Sequence, residues 1–101
     1  MYGFVVRVKA RPGKFQALVE QLTWAADVAR AKEPDTLRFE FYPDENDENA
    51  LYLYEAYSDP DGFEAHKKNE PYQRWKSGRS DELVEEGTQI FMGTAMFSTL
   101  N

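Results

Sequence analysis

The sequence predicts an α+β fold of order β-α-β-β-α-β, with a four-stranded antiparallel sheet and both helices on one face. Three observations carry that expectation. Apolar and polar residues alternate over 2–9, 36–42 and 50–57, the period of half-buried strands. Between the first two segments the spacing changes: Phe15, Leu18, Val19, Leu22, Ala26 and Ala29 recur as on an amphipathic helix. After the third comes a proline-opened helical stretch, then a final β-rich segment.

Each element has its own signals. "YGFVVRVK" (2–9) is rich in β-branched and aromatic residues. Its alternation puts Tyr2, Phe4, Val6 and Val8 on one face and Gly3, Val5, Arg7 and Lys9 on the other. "RPGK" (11–14) ends the strand and opens the first helix, with Pro12 suited to an early helical position. That helix runs to about Lys32, where "EPD" (33–35) stops it, because a residue before proline avoids helical geometry. "TLRFEFY" (36–42) sets Leu37, Phe39 and Phe41 against Arg38, Glu40 and Tyr42. "PDENDEN" (43–49) reads as a hairpin loop and "ALYLYEAY" (50–57) as the third strand. Ser58 or Asp59 suits the N-cap of the second helix, with Pro60 in its first turn. Pro71 interrupts that helix and a short helical piece follows. "SGRSDE" (77–82) reads as a loop or frayed turn, and "GTQIFMGTAMFSTL" (87–100) as a fourth strand, weakened or bulged at Gly93.

This order is the ferredoxin-like arrangement, here a single domain over residues 1–101. The second sheet face is also apolar, since Val5 and Tyr42 lie there with either Tyr52 and Tyr54 or Leu51 and Leu53. Small domains leave much apolar surface uncovered, so a chain of 101 residues with two apolar sheet faces calls for a second subunit.

Composition removes several functions. The 18 acidic and 12 basic residues give a net charge of −6, which nucleic acid and anionic membranes repel. The absence of cysteine excludes disulfides, thiolate nucleophiles and cysteine metal sites, and the single histidine excludes any site that needs two. No run approaches the roughly 20 apolar residues of a membrane span. "MYGFVVRVKARPGK" lacks the basic start and cleavage site of a signal peptide. The expectation is a soluble, cytoplasmic protein.

The run "LYEAYSDPDGFEAHKKNEPYQRW", with Val6, Val8, Pro12, Gly13, Lys14 and Phe15 ahead of it and "LRFEFY" between, resembles the antibiotic biosynthesis monooxygenase domain family. That family is of the dimeric α+β-barrel type. Order and spacing along nearly the whole chain carry the resemblance. It implies a homodimer whose sheets face each other as a barrel, helices outside, with a pocket in each subunit between sheet and helices. Relatives in this family include monooxygenases that oxidise quinols or polyketide phenols without metal or flavin, haem-degrading enzymes, and isomerases of a small phosphorylated sugar. Fold likeness alone does not choose among them.

Dioxygen is a ground-state triplet and reacts slowly with closed-shell molecules, but a phenolate or hydroquinone anion can supply the first electron itself. The protein then needs a base, a flat apolar pocket and exclusion of water. His66 is the natural base, because an ordinary imidazole titrates at roughly pH 6.5. Phe63, one turn earlier, and Tyr72 and Trp75, beyond the proline, are the substrate-binding candidates that frame a planar ring. The expected reaction is oxidation of a quinol or aromatic phenol by dioxygen, with no cofactor and no metal. One alternative is an isomerase of a small phosphorylated hydroxyketone, for which Arg7, Lys67, Lys68 and Arg74 are the available cations. Another is a non-catalytic dimeric domain that binds an aromatic ligand. The plainest reading makes Phe63 and Trp75 core and His66 a partly exposed helix residue.

Other features are bland. Haem-degrading relatives place an asparagine on the first strand and a tryptophan ahead of the ligand histidine; here the first strand has no asparagine, and Trp75 follows His66 by nine positions. "DENDEN" (44–49) lacks the glycine and closing glutamate of an EF-hand loop. Arg38 and Glu55 could meet across the second hairpin, a pair that is usually structural but in this fold could sit near the pocket or the dimer seam. Trp24 lies about 180° around the first helix from Phe15, near Ala17, Val28 and Ala31, either simply exposed or in an oligomer contact.

Overall fold

The computed structural model describes residues 1–100. Its elements are β1 (Tyr2–Ala10), α1 (Phe15–Lys32), β2 (Thr36–Asp44), β3 (Asp47–Tyr57), α2 (Pro60–His66) and α3 (Glu70–Arg74), then a kinked turn (Trp75–Arg79), α4 (Ser80–Leu83) and β4 (Val84–Thr94). The four strands form one antiparallel sheet in the order β2-β3-β1-β4. The helices cover one face, as the ferredoxin-like α+β expectation requires.

Register explains the core. Residues directly opposite on neighbouring strands share a face, and Val6 opposes Leu53, Val8 opposes Leu51, and Phe41 opposes Leu53. Against this surface α1 lays Leu18, Leu22, Ala25 and Ala29, a four-three-four spacing, all buried. Burial of each such leucine contributes about 1.5–3 kcal/mol. The same register answers the question of the third strand: Leu51 and Leu53 face the helices. Tyr52 and Tyr54 face outward, opposite Tyr42 and Val5.

Several local expectations change. Pro12 lies ahead of α1, in a turn closed by the Lys14 amide donating to the Arg11 carbonyl at 3.0 Å. Gly13 takes φ +76°, so Arg11–Lys14 is a type II turn with proline second and glycine third. The hairpin loop shortens to Glu45 and Asn46, because the strands run on to Asp44 and Asp47. Arg7 reaches both aspartates, at 3.0 and 3.3 Å, and Lys9 reaches Asp47 at 3.2 Å, offsetting the acidic tip. Pro43 is tolerated because β2 is an edge strand. A bulge between Thr36 and Arg38 turns Leu37 out to solvent instead of leaving it with Phe39 and Phe41. Residues 77–82 are helical rather than loop, kinked at Gly78 with φ +139°.

β4 begins three residues earlier than expected and ends at Thr94. Its irregularities fall at Ile90 and Glu85, while Gly93 pairs in register with Gly3. Among the described residues no helix is long and apolar enough to cross a membrane.

Candidate active site

The site begins with the way α2 is seated. Asp59 caps it, its carboxylate accepting from the Gly62 amide at 3.1 Å, and Pro60 stands in the first turn. Gly62 lies against the turn ahead of β2 and the end of β3: a Cβ there would be 3.1 Å from Asp35 Cβ and 3.2 Å from Tyr57 Cβ. The Ser58 amide ties the same junction to the Asp35 carbonyl at 2.9 Å. This close approach sets His66, one turn further on, beneath the helix and over the sheet.

His66 is 4% exposed, so it is no surface residue. Its ring sits among Phe39, Tyr57 and Tyr72 at centroid distances of 5.6, 5.7 and 5.8 Å, and is stacked at 6.4 Å on Phe63. Nδ1 lies 2.8 Å from Glu33 Oε1. Glu33 also accepts from Thr36 Oγ1 at 2.7 Å and Asn69 Nδ2 at 2.8 Å. Burial works against its charge, but the bonds from Thr36, His66 and Asn69 and the His66 charge outweigh it and hold the carboxyl below its usual range. An ionised carboxylate can only accept, so Nδ1 carries a proton toward Glu33 and Nε2 points away from it.

Nε2 is 3.8 Å from Glu55 Oε1, beyond hydrogen-bond reach. Glu55 is itself buried, and the Tyr57 hydroxyl donates to its Oε1. Burial pushes Glu55 up, by more than the Tyr57 bond and the His66 charge draw it down, and the Glu33 charge adds to the rise. Burial also raises Tyr57, reinforced by the neighbouring Glu55. The two carboxyl groups of the site are therefore shifted in opposite directions, Glu33 down and Glu55 up.

These groups stand at a cavity of about 210 Å³ between the sheet and the helices. Phe4, Phe39 and Leu53 line its sheet side, and Phe63, Tyr72 and Trp75 its helix side. Gln21 closes it from α1, held by its Nε2 donating to the Pro71 carbonyl at 3.1 Å. All four residues singled out from the sequence, His66, Phe63, Tyr72 and Trp75, therefore line one cavity, although Trp75 also packs against the core. A shallower hollow of about 180 Å³ lies on the opposite sheet face, between Gly3, Tyr54, Phe91 and Gly93.

Sequence reasoning missed Glu33, Tyr57 and Gln21, and singled out Glu55 only as the partner of Arg38. One signal was available: Glu55 alternates with Leu51 and Leu53, which puts a carboxyl on an apolar strand face. The expected Arg38–Glu55 pair does not form, because Arg38 opposes Ala56 and points to the other face. There it binds Glu40 at 2.9 Å and lies 5.3 Å over the Tyr54 ring. None of Arg7, Lys67, Lys68 and Arg74 lines the cavity. Arg7 is tied to the hairpin, and Lys67 to Glu64 at 2.7 Å. Trp24 is half-buried, between its two expected states.

The chain is similar to known proteins in sequence profile and in fold. The sequence profile described as antibiotic biosynthesis monooxygenase matches residues 1–78, a span that includes every residue lining the cavity. A search of curated proteins finds no match. Among solved structures, a Nitrosomonas europaea protein provisionally named an antibiotic biosynthesis monooxygenase is 24% identical, covering 96% of this chain and 100% of its own, at TM-score 0.79. A Bacteroides thetaiotaomicron protein with the same provisional name is 18% identical over 99% of this chain and 93% of its own, at TM-score 0.84. PA3566 from Pseudomonas aeruginosa is 22% identical over 93% and 94%, at TM-score 0.78. At these identities the likeness is one of fold.

Proposed function

Because the chain belongs to the antibiotic biosynthesis monooxygenase family, we propose that it is a cofactor-independent monooxygenase that oxidises a quinol or aromatic phenol with dioxygen. The observation that carries this reading is His66 Nε2, without a hydrogen-bond partner among the described residues, at a cavity with mostly aromatic and aliphatic walls. A phenol hydroxyl placed at Nε2 passes its proton to the imidazole, and the Glu33 carboxylate at Nδ1 stabilises the imidazolium that forms. A base so positioned accelerates such a step by about 10²–10⁴-fold. The phenolate then supplies electrons to dioxygen, while the apolar walls keep water from competing. Phe63, Tyr72 and Trp75 hold the ring flat.

Size narrows the substrate. A cavity of about 150 Å³ accepts benzene, so 210 Å³ suits one ring with substituents or two fused rings. A phosphorylated hydroxyketone fits poorly, because no lysine or arginine lines the cavity to meet a phosphate. On this reading the enzyme acts as a soluble cytoplasmic homodimer joined through the sheet face that the helices leave open.

The test is dissolved-oxygen consumption with a panel of one- and two-ring hydroquinones and phenols, with metal chelated and no flavin added. Saturable uptake is expected, falling about 10²-fold or more in His66→Ala. Full uptake in that variant removes His66 as the base. Ligand-induced quenching of tryptophan fluorescence with no oxygen consumed makes the protein a binding domain instead.

A further inference from the structure

Glu55 plays no part in the chemistry above, yet it faces the same chamber. It projects from β3 on the face of Leu51 and Leu53, is 7% exposed, and lines the cavity. Its Oε1 is held by the Tyr57 hydroxyl, while Oε2 has no protein partner among the described residues. Oε2 is not sealed off either, since Arg38 Nε, on the far face of the sheet, is the one buried side-chain polar atom left unpartnered there. Glu55 lines the cavity, with its carboxyl 3.8 Å from His66 Nε2. Two different elements, β3 and α2, thus present one free polar atom each to a chamber with apolar walls.

The titratable groups around Glu55 are Tyr57 from its own strand, His66 from α2, Tyr72 from α3, and Glu33 behind the imidazole. None is a permanent cation, so nothing there fixes Glu55 as a carboxylate. Burial and the Glu33 charge both favour its neutral form.

We infer that Glu55 is a second catalytic residue: the acid that protonates dioxygen as the substrate reduces it, and then the base that takes the proton from the oxygenated carbon. This rests on the monooxygenase reading. After His66 Nε2 takes the hydroxyl proton, an unsubstituted ring carbon ortho or para to the phenolate bonds to one oxygen of dioxygen. Two electrons pass from the ring, and the distal oxygen takes the proton of Glu55 Oε2, giving a hydroperoxide and a carboxylate. The carboxylate then removes the proton from that carbon, the carbonyl forms, and the O–O bond breaks. The departing hydroxide leaves as water with the proton of the His66 imidazolium. One oxygen atom ends in the quinone and the other in water, and both side chains regain their starting state. Without Glu55 the proton donor left for the peroxide would be the His66 imidazolium, whose proton the closing step needs to release hydroxide as water.

Glu55→Gln tests this, because the amide keeps the volume and an N–H donor but cannot transfer a proton. Anaerobic binding of a hydroquinone, with the absorption band of its anion, is expected to persist. The kcat for oxygen uptake is expected to fall about 10²-fold or more, and its alkaline limb to disappear. Wild-type kcat and pH profile in Glu55→Gln overturn the assignment. A quinone bound to the wild-type protein gives a readout that needs no turnover. A proton on Oε2 lowers the infrared frequency of its carbonyl, and an unshifted band also overturns the assignment. A shifted band without oxygen uptake leaves Glu55 as a proton donor and sinks the monooxygenase reading alone.

Discussion

A histidine ring offers two nitrogens, and the value of His66 lies in which one Glu33 leaves free. Because Glu33 is held ionised by Thr36 and Asn69 as well, it keeps the Nδ1 proton in place and aims Nε2 away from itself. The two carboxyl groups then give the folded state opposite pH responses. Glu33 is lowered from the ordinary 4.5, so its stabilisation is present above that pH and is lost as pH falls through its depressed value. Glu55 is raised from the same 4.5, so its contribution is full below that pH and is lost as pH rises through its elevated value. Urea unfolding across pH is therefore expected to show Glu55→Gln losing less stability than wild type on the alkaline side. Parallel curves would mean that Glu55 is not neutral in the fold. His66, Phe63, Tyr72 and Trp75 were legible in the sequence because one short helical stretch carries them. Glu33 was not, because its meeting with His66 depends on where α1 ends relative to α2, which no local pattern encodes.

Helix α2 is where an element controls a site. Alanine is ordinarily preferred to glycine inside a helix by about 1 kcal/mol, yet at Gly62 a Cβ would meet Asp35 and Tyr57 at 3.1 and 3.2 Å. Gly62→Ala is expected to lower the melting temperature, lift α2 from β3 and weaken the His66–Glu33 contact. A raised melting temperature with unchanged activity would show that the seating of α2 has slack. The four strands, α1 and α2 were legible from hydrophobic period, since that period is what packing uses. The errors at this scale are local. Pro12 and Gly13 form a turn rather than a helix start, and the β4 bulges fall at Ile90 and Glu85 rather than Gly93. Bulge position is set by pairing with β1, and in a strand read alone a glycine is the only visible irregularity.

The whole molecule is two-sided. The helices pack on one sheet face, while the other leaves Tyr42 and Phe91 each about half exposed. That surface supports the homodimer of the proposed reading. Sedimentation is expected to give a dimer for wild type and a folded monomer for Phe91→Arg, whereas a wild-type monomer would remove the second subunit from the account. The sequence exposed this apolar second face, but the choice between Leu51/Leu53 and Tyr52/Tyr54 had to wait for the register of β3 with its neighbours. The account as a whole rests on oxygen entering the substrate at the chamber that His66 and Glu55 share. The most direct measurement is the oxygen-uptake assay run in isotopically labelled dioxygen, with the quinone product analysed by mass spectrometry. The expected product carries a single labelled oxygen atom, with label incorporation lost in His66→Ala. A quinone formed without label, with peroxide released, would mean that the protein dehydrogenates its substrate, and would contradict the account.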